Sequence, residues 1–150
     1  MQRSFVYDHY YRYQEITDIL KGYAEKYPAL TRLSSIGQTP QGRSIWLLEV
    51  TDTAAGAFED KPAYYMEANI HAGEVTGSMD TLFSNLSDPA IRQLLERYTI
   101  YAVPRVSPDG SEHYLTTPDY VRSAPRLYPY EQRQPGLHKG DLDGDGACRM

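Results

Sequence analysis

The sequence predicts an α/β fold, a mixed parallel and antiparallel sheet flanked by helices on both faces. Three observations carry this. Helical and strand-like patterns alternate from Tyr13 to Val106. Two apolar runs, "LTRLSSIG" and "SIWLLEV", are separated by the Gly- and Pro-containing turn Gly37 to Arg43, as in a hairpin. A third run, "AYYMEANI", is apolar on both faces, which predicts a central strand covered on both sides.

In order along the chain, "YQEITDILKGYAEKYPAL" reads as the first helix. Ile16, Ile19, Leu20, Tyr23, Ala24 and Tyr27 share one face, and Pro28 ends it. The hairpin follows, then a loop, "DTAAGAFEDKP", then the third strand. A second helix is expected to start at once, because Val75, Ser78, Met79, Leu82, Phe83 and Leu86 fall on one face. "DPAIRQLLERY" reads as a short helix with Asp88 as N-cap and Pro89 in the first position. "YTIYAVPRV" reads as the fourth strand. Beyond Val106 the periodicity decays into a long irregular stretch rich in Pro and Gly, with Pro108, Asp109 and Gly110 forming a turn.

Composition narrows the function classes. The 150 residues suit one domain, and 41% hydrophobic content is enough for a packed core. A net charge of -5 argues against a nucleic-acid surface. No stretch is apolar and long enough to span a membrane, so no membrane partner is expected. The N-terminus lacks the apolar segment of a signal peptide, so the chain as written is expected in the cytoplasm, with a trimmed precursor as the alternative. The single cysteine, Cys148, excludes an internal disulfide and reads as a thiol without a role. Fourteen tyrosines suit half-buried positions with a wet hydroxyl, as in many peptide-binding clefts.

The chemistry concentrates in "ANIHAGEV". His71 stands just past the end of the third strand, where ligands gather in open α/β sheets. Glu74 follows three positions later, near the expected start of a helix. Imidazole nitrogen and carboxylate oxygen are both zinc ligands, and Gly73 allows a tight turn between them. The pair alone also reads as a partly buried histidine beside a glutamate placed favourably at a helix N-terminus. Two ligands make an incomplete catalytic zinc site, which takes three and a water.

The wider pattern resembles the zinc carboxypeptidases of the carboxypeptidase A type. Gly37, Gly42 and Arg43 match a Gly-x-x-x-x-Gly-Arg turn before a strand. Asn69, His71 and Glu74 match Asn-x-His-x-x-Glu after a strand. Pro108, Asp109 and Gly110 match Asn-Pro-Asp-Gly, with Ser107 where Asn is usual. The resemblance runs from about Tyr10 to Arg126. It implies a carboxypeptidase-like zinc exopeptidase fold and removal of the C-terminal residue from a peptide or protein substrate. His71 and Glu74 would be the first two zinc ligands. Arg122, a little over a dozen residues after the Pro-Asp-Gly turn, would polarise the scissile carbonyl, with Arg126 as the nearby alternative. Arg43 and Asp109 read as structural, Trp46 as packing, and Arg105 has no assigned role.

The chain also departs from that family. An Asn-Arg pair for the substrate carboxylate, a third zinc ligand, a general-base Glu and a Tyr that closes over the substrate have no counterpart. His9, His113 and His138 stand at positions the family does not use. The resemblance therefore implies that residues 1–150 are the N-terminal portion of a single catalytic domain, inactive alone and exposing apolar surface. Within residues 137–150, "DLDGDG" matches the start of an EF-hand-type calcium loop. Asp141, Asp143 and Asp145 take positions one, three and five and Gly146 the sharp turn, whereas the acid at position twelve would lie past Met150. An acidic turn without calcium is the plainer reading of the same residues. The alternative for the whole is a non-catalytic carboxypeptidase-like domain that binds peptide or metal. A second alternative is another α/β hydrolase in which His71 is structural.

Overall fold

The computed structural model describes residues 8–76, 82–83, 85–125 and 144. Helix α1 spans Tyr13–Lys26 and buries Ile16, Ile19, Leu20 and Tyr23, the stripe read from sequence. Its start is held by Glu15, whose carboxylate accepts from the Arg12 N–H at 2.9 Å. The helix stops at Tyr27, beside Pro28.

Strands β1 (Thr31–Gln38) and β2 (Ser44–Val50) form the predicted antiparallel hairpin, with Thr31 opposite Val50. A bulge interrupts the register between Ser35 and Gly37. The turn closes through Gly42 at φ 77°, a conformation that favours glycine. Strand β3 is Ala63–Glu67. Helix α2, Pro89–Arg97, is capped by Asp88, which accepts from the Ala90 N–H at 2.8 Å, as predicted. Strand β4, Thr99–Val103, pairs antiparallel with β2 and parallel with β3. The sheet order is β1-β2-β4-β3, so the sheet is mixed.

Leu48 and Val50 of β2 and Ile100 and Ala102 of β4 share a sheet face. There they meet Ile16, Ile19, Leu20 and Tyr23 of α1, Phe83, and Leu95 of α2, which form one core. Phe83 stacks on Tyr23 with ring centroids 3.9 Å apart. Trp46 packs against this core, and its Nε1–H donates to Thr17 Oγ1 at 3.0 Å. The opposite face presents Glu49, buried and held by Arg32 at 2.6 Å. Arg32 also pairs with Glu59 and lies over the Phe58 ring, so the 52–62 loop covers this end.

The structure corrects three expectations. Among the described residues strand β3 lies at the edge of the sheet, not at its centre, and all five of its residues are exposed. Among the described residues its sole neighbour is β4, so Tyr64 (65% exposed) and Tyr65 (58%) stand on an open border. No helix begins at once after β3. Residues 68–76 are turns, bends and irregular backbone, Glu74 and Val75 included; Leu82 and Phe83 are helical, and Ser78 and Met79 lie outside the described residues. Finally, Pro-Asp-Gly does not make an isolated turn. It opens helix α3, Pro108–Thr116, with proline at its first position, where a missing N–H costs nothing.

Candidate metal centre

The turn 68–74 leaves the carboxyl end of β3 and is pinned to the carboxyl end of β4. The Ala68 carbonyl accepts from Val106 N–H at 3.0 Å, and the Asn69 carbonyl accepts from Ser107 N–H at 3.0 Å. The topology thus delivers His71 to the end of two adjacent parallel strands, the usual place for a site in such sheets.

The two expected zinc ligands meet. His71 Nδ1 lies 2.6 Å from Glu74 Oε1, and the His71 N–H donates to Glu74 Oε2 at 3.1 Å. Both side chains are open to solvent, 34% exposed for His71 and 55% for Glu74. The hydrogen bond from the His71 ring holds the Glu74 carboxyl below the usual carboxylate range. The His71 N–H and the nearby charge of Arg122 act the same way.

Arg122 comes to the same place from the other side. Its carbonyl accepts from the Ala72 N–H at 2.7 Å, so the 121–123 segment lies along the turn, and its side chain is exposed. The seat for this segment is Gly110. A methyl group there would stand 1.8 Å from the Ser123 carbonyl oxygen, which also accepts from Ser107 Oγ at 3.2 Å. Tyr114, one turn further along α3, lays its ring against Gly73, where a methyl would stand 3.3 Å from the ring.

Asp109 and Arg43 are structural, as read from sequence. Asp109 accepts from Arg43 Nη1 at 2.7 Å, from Thr39 Oγ1 at 2.8 Å and from Gln41 N–H at 3.1 Å. The first and third motifs are therefore one unit, in which the β1–β2 turn is tied to the start of α3. Arg105 is 5% exposed and donates Nη2 to the Tyr11 carbonyl at 3.0 Å. Its Nε and Nη1 have no partner among the described residues, and burial pushes its guanidinium pKa down to about 10.

The donor set fits part of a zinc site. Bonds of about 2 Å to one tetrahedral ion set two donor atoms roughly 3.3 Å apart, so the pair at 2.6 Å must open by under about 1 Å and release its shared proton. Among the described residues no group of three or more His, Cys, Asp or Glu side chains gathers. His9 pairs instead with Asp8 and Glu15, and His113 with Asp119. Arg126, His138, Cys148 and the calcium-loop residues Asp141, Asp143 and Asp145 lie outside the described residues. Also among the described residues, no helix is long and apolar enough to cross a membrane.

Sequence reasoning missed the packing roles of Asn69, Gly110 and Tyr114. Gly110 was legible as part of a motif, but what it admits, Ser123, is thirteen residues away.

Comparison with known proteins shows the family and the fold. A zinc carboxypeptidase from Saccharothrix mutabilis subsp. capreolus is 33% identical over 118 residues, 74% of this chain and 27% of that protein. Mouse carboxypeptidase M is 34% identical over 113 residues, covering 70% and 26%. Human carboxypeptidase D is 30% identical over 110 residues, covering 69% and 8%. Among solved structures, carboxypeptidase A from Helicoverpa armigera superposes with a TM-score of 0.71 at 25% identity, over 85% of this chain and 32% of that one. A bovine thrombin-activatable fibrinolysis inhibitor solved in complex with tick carboxypeptidase inhibitor gives 0.62 at 22%, over 81% and 39%, a likeness of fold. The chain thus spans about a quarter or less of the length of these curated relatives. A zinc carboxypeptidase family model matches residues 16–135, and the chain belongs to that family.

Proposed function

We propose that the complete protein is a zinc-dependent metallocarboxypeptidase that hydrolyses the C-terminal peptide bond of peptides or proteins, and that residues 1–150 are the N-terminal portion of its catalytic domain. The observation that carries the proposal is the His71–Glu74 pair, 2.6 Å apart at the carboxyl end of a parallel strand in a chain of this family. His71 and Glu74 would hold the ion. Bound zinc lowers the pKa of a coordinated water toward neutrality and polarises a carbonyl. Arg122 would offer its guanidinium to the oxyanion as charge develops on the scissile carbonyl. Its backbone anchor on Ala72 supports that role by fixing the segment beside the ligand turn. The open border at β3, with an apolar run exposed on both faces, supports a domain that continues beyond this sheet.

The chain as it stands is expected to hydrolyse little or nothing, because catalytic zinc takes three protein ligands and the described residues offer two. The test is release of the C-terminal amino acid from short peptides, measured for this chain and for a chain extended to the length of its relatives. The extended protein should release it, a chelator or His71→Ala should abolish release, and the 150-residue chain should stay at background. Release that is indifferent to His71→Ala contradicts the proposal. Peptide binding without release by the extended protein would favour a non-catalytic relative, the reading supported by the two-donor set.

A further inference from the structure

We propose that Asn69 is a positioning residue of this centre. From behind the turn, its amide grips the carbonyls of His71 and Ala72 and so fixes the orientation in which His71 and Glu74 present their donors. The inference rests on His71 and Glu74 being zinc ligands.

Asn69 adopts φ 57°, and it is the one non-glycine with positive φ among the described residues. Asparagine tolerates that region, but glycine would occupy it with less strain. The side chain is buried, 3% exposed. Nδ2 donates to the His71 carbonyl at 2.7 Å and reaches the Ala72 carbonyl at 3.4 Å. Oδ1 is buried without a partner among the described residues, an unfavourable state for a carbonyl oxygen. A residue needed only to reverse the chain would bring neither the strain nor the orphaned acceptor. What asparagine adds over glycine is the donor, and that donor is spent on the two peptide groups around the ligand turn.

The grip is two-sided. Asn69 holds the carbonyls on its side of the turn, while the Arg122 carbonyl holds the Ala72 N–H. With the backbone fixed at both, the His71 and Glu74 side chains start from set positions and meet at 2.6 Å. Groups behind the ligands act in this way in metal sites generally, and their loss typically weakens metal affinity by about 10–100-fold.

The test is titration of the full 150-residue chain with Zn2+ in four forms: unaltered, Asn69→Gly, Asn69→Asp and His71→Ala. The melting temperature of each zinc-free form is measured alongside. Asn69→Gly keeps access to the positive φ and removes the donor. Asn69→Asp keeps the shape and turns the donor into an acceptor facing two carbonyls. The expected result is zinc affinity lowered about tenfold or more in both Asn69 variants, with melting temperatures within about 4 °C of the unaltered chain. Unchanged affinity in either folded Asn69 variant overturns the inference while leaving the ligand assignment intact. Zn2+ bound as well after His71→Ala overturns the ligand assignment and the inference with it, and if the unaltered chain binds no Zn2+ the same four-form titration on the chain extended to the length of its relatives decides. If Asn69→Gly fails to fold, Asn69→Asp decides by the same readout.

Discussion

At the scale of single residues, the third motif acts as a joint with two differently loaded members. Asp109, nearly buried, holds the β1–β2 turn through Arg43, Thr39 and the Gln41 N–H. Asp109→Asn keeps the shape but uncouples the ion pair, and should cost about 1–3 kcal/mol in a denaturant melt. A loss below a few tenths would mean that the contact is idle. Gly110 acts by absence, since any Cβ meets the Ser123 carbonyl. Gly110→Ala should cost about 1–3 kcal/mol and release the 121–123 segment from the ligand turn. The specific readout is hydrogen exchange at the Ala72 N–H, which bonds to the Arg122 carbonyl. Exchange there should quicken more than in the core of β2, and equal quickening or no change would reject the seating role. The sequence made Asp109 and Gly110 visible as a motif, and His71 and Glu74 as a pair. It could not show what each touches, because those contacts join segments far apart in the chain.

At the scale of elements, local signals were legible where the chain obeys local rules. The stripe of α1, the Asp88 cap of α2 and the Gly37–Arg43 turn all have their causes within a few residues. Helix α3 was illegible because Pro108 and Gly110 both read as breakers. Proline is in fact acceptable at the first helical position, and glycine is retained for the segment packed on it. Strand β3 was misplaced for the opposite reason, since its apolar run describes the burial it suits rather than the edge it occupies. An open edge bearing Tyr64, Tyr65 and Met66 invites pairing between copies. Tyr65→Lys should therefore reduce the concentration dependence of apparent mass in light scattering, and an unchanged profile would argue that the edge is not sticky. Helices α1 and α3 are joined by Glu112, which accepts from Arg12 and from the Tyr13 N–H at 3.1 Å. Burial works hardest against the charge on Glu112, yet these bonds and the charges of Arg12 and Arg43 together bring its carboxyl below its ordinary 4.5. A depressed folded value means that the contribution to stability is full above about pH 4.5 and is lost as pH falls through the lowered value. Glu112→Gln should flatten the acid limb of a stability–pH curve below about pH 4.5, and an identical limb in both proteins would discount the pair.

At the scale of the whole molecule, the described residues form a mixed four-stranded sheet with its core against α1 and α2, and the His71–Glu74 turn stands at the carboxyl end of its parallel pair. The family was legible because three motifs occur in the right order on the right elements. The arrangement that makes them one site needed the structure. Asp109 ties the first motif to the third, and the Ser107 N–H ties the third to the second through the Asn69 carbonyl. The account's central claim is that this turn offers two donors to one zinc ion. Calorimetric titration of the 150-residue chain with Zn2+, repeated on His71→Ala and Glu74→Ala, tests it most directly. The account predicts one ion per chain, with affinity falling at least about tenfold in each variant and little further in the double variant, as for two ligands of one ion. Zinc binding that is indifferent to both substitutions would contradict it.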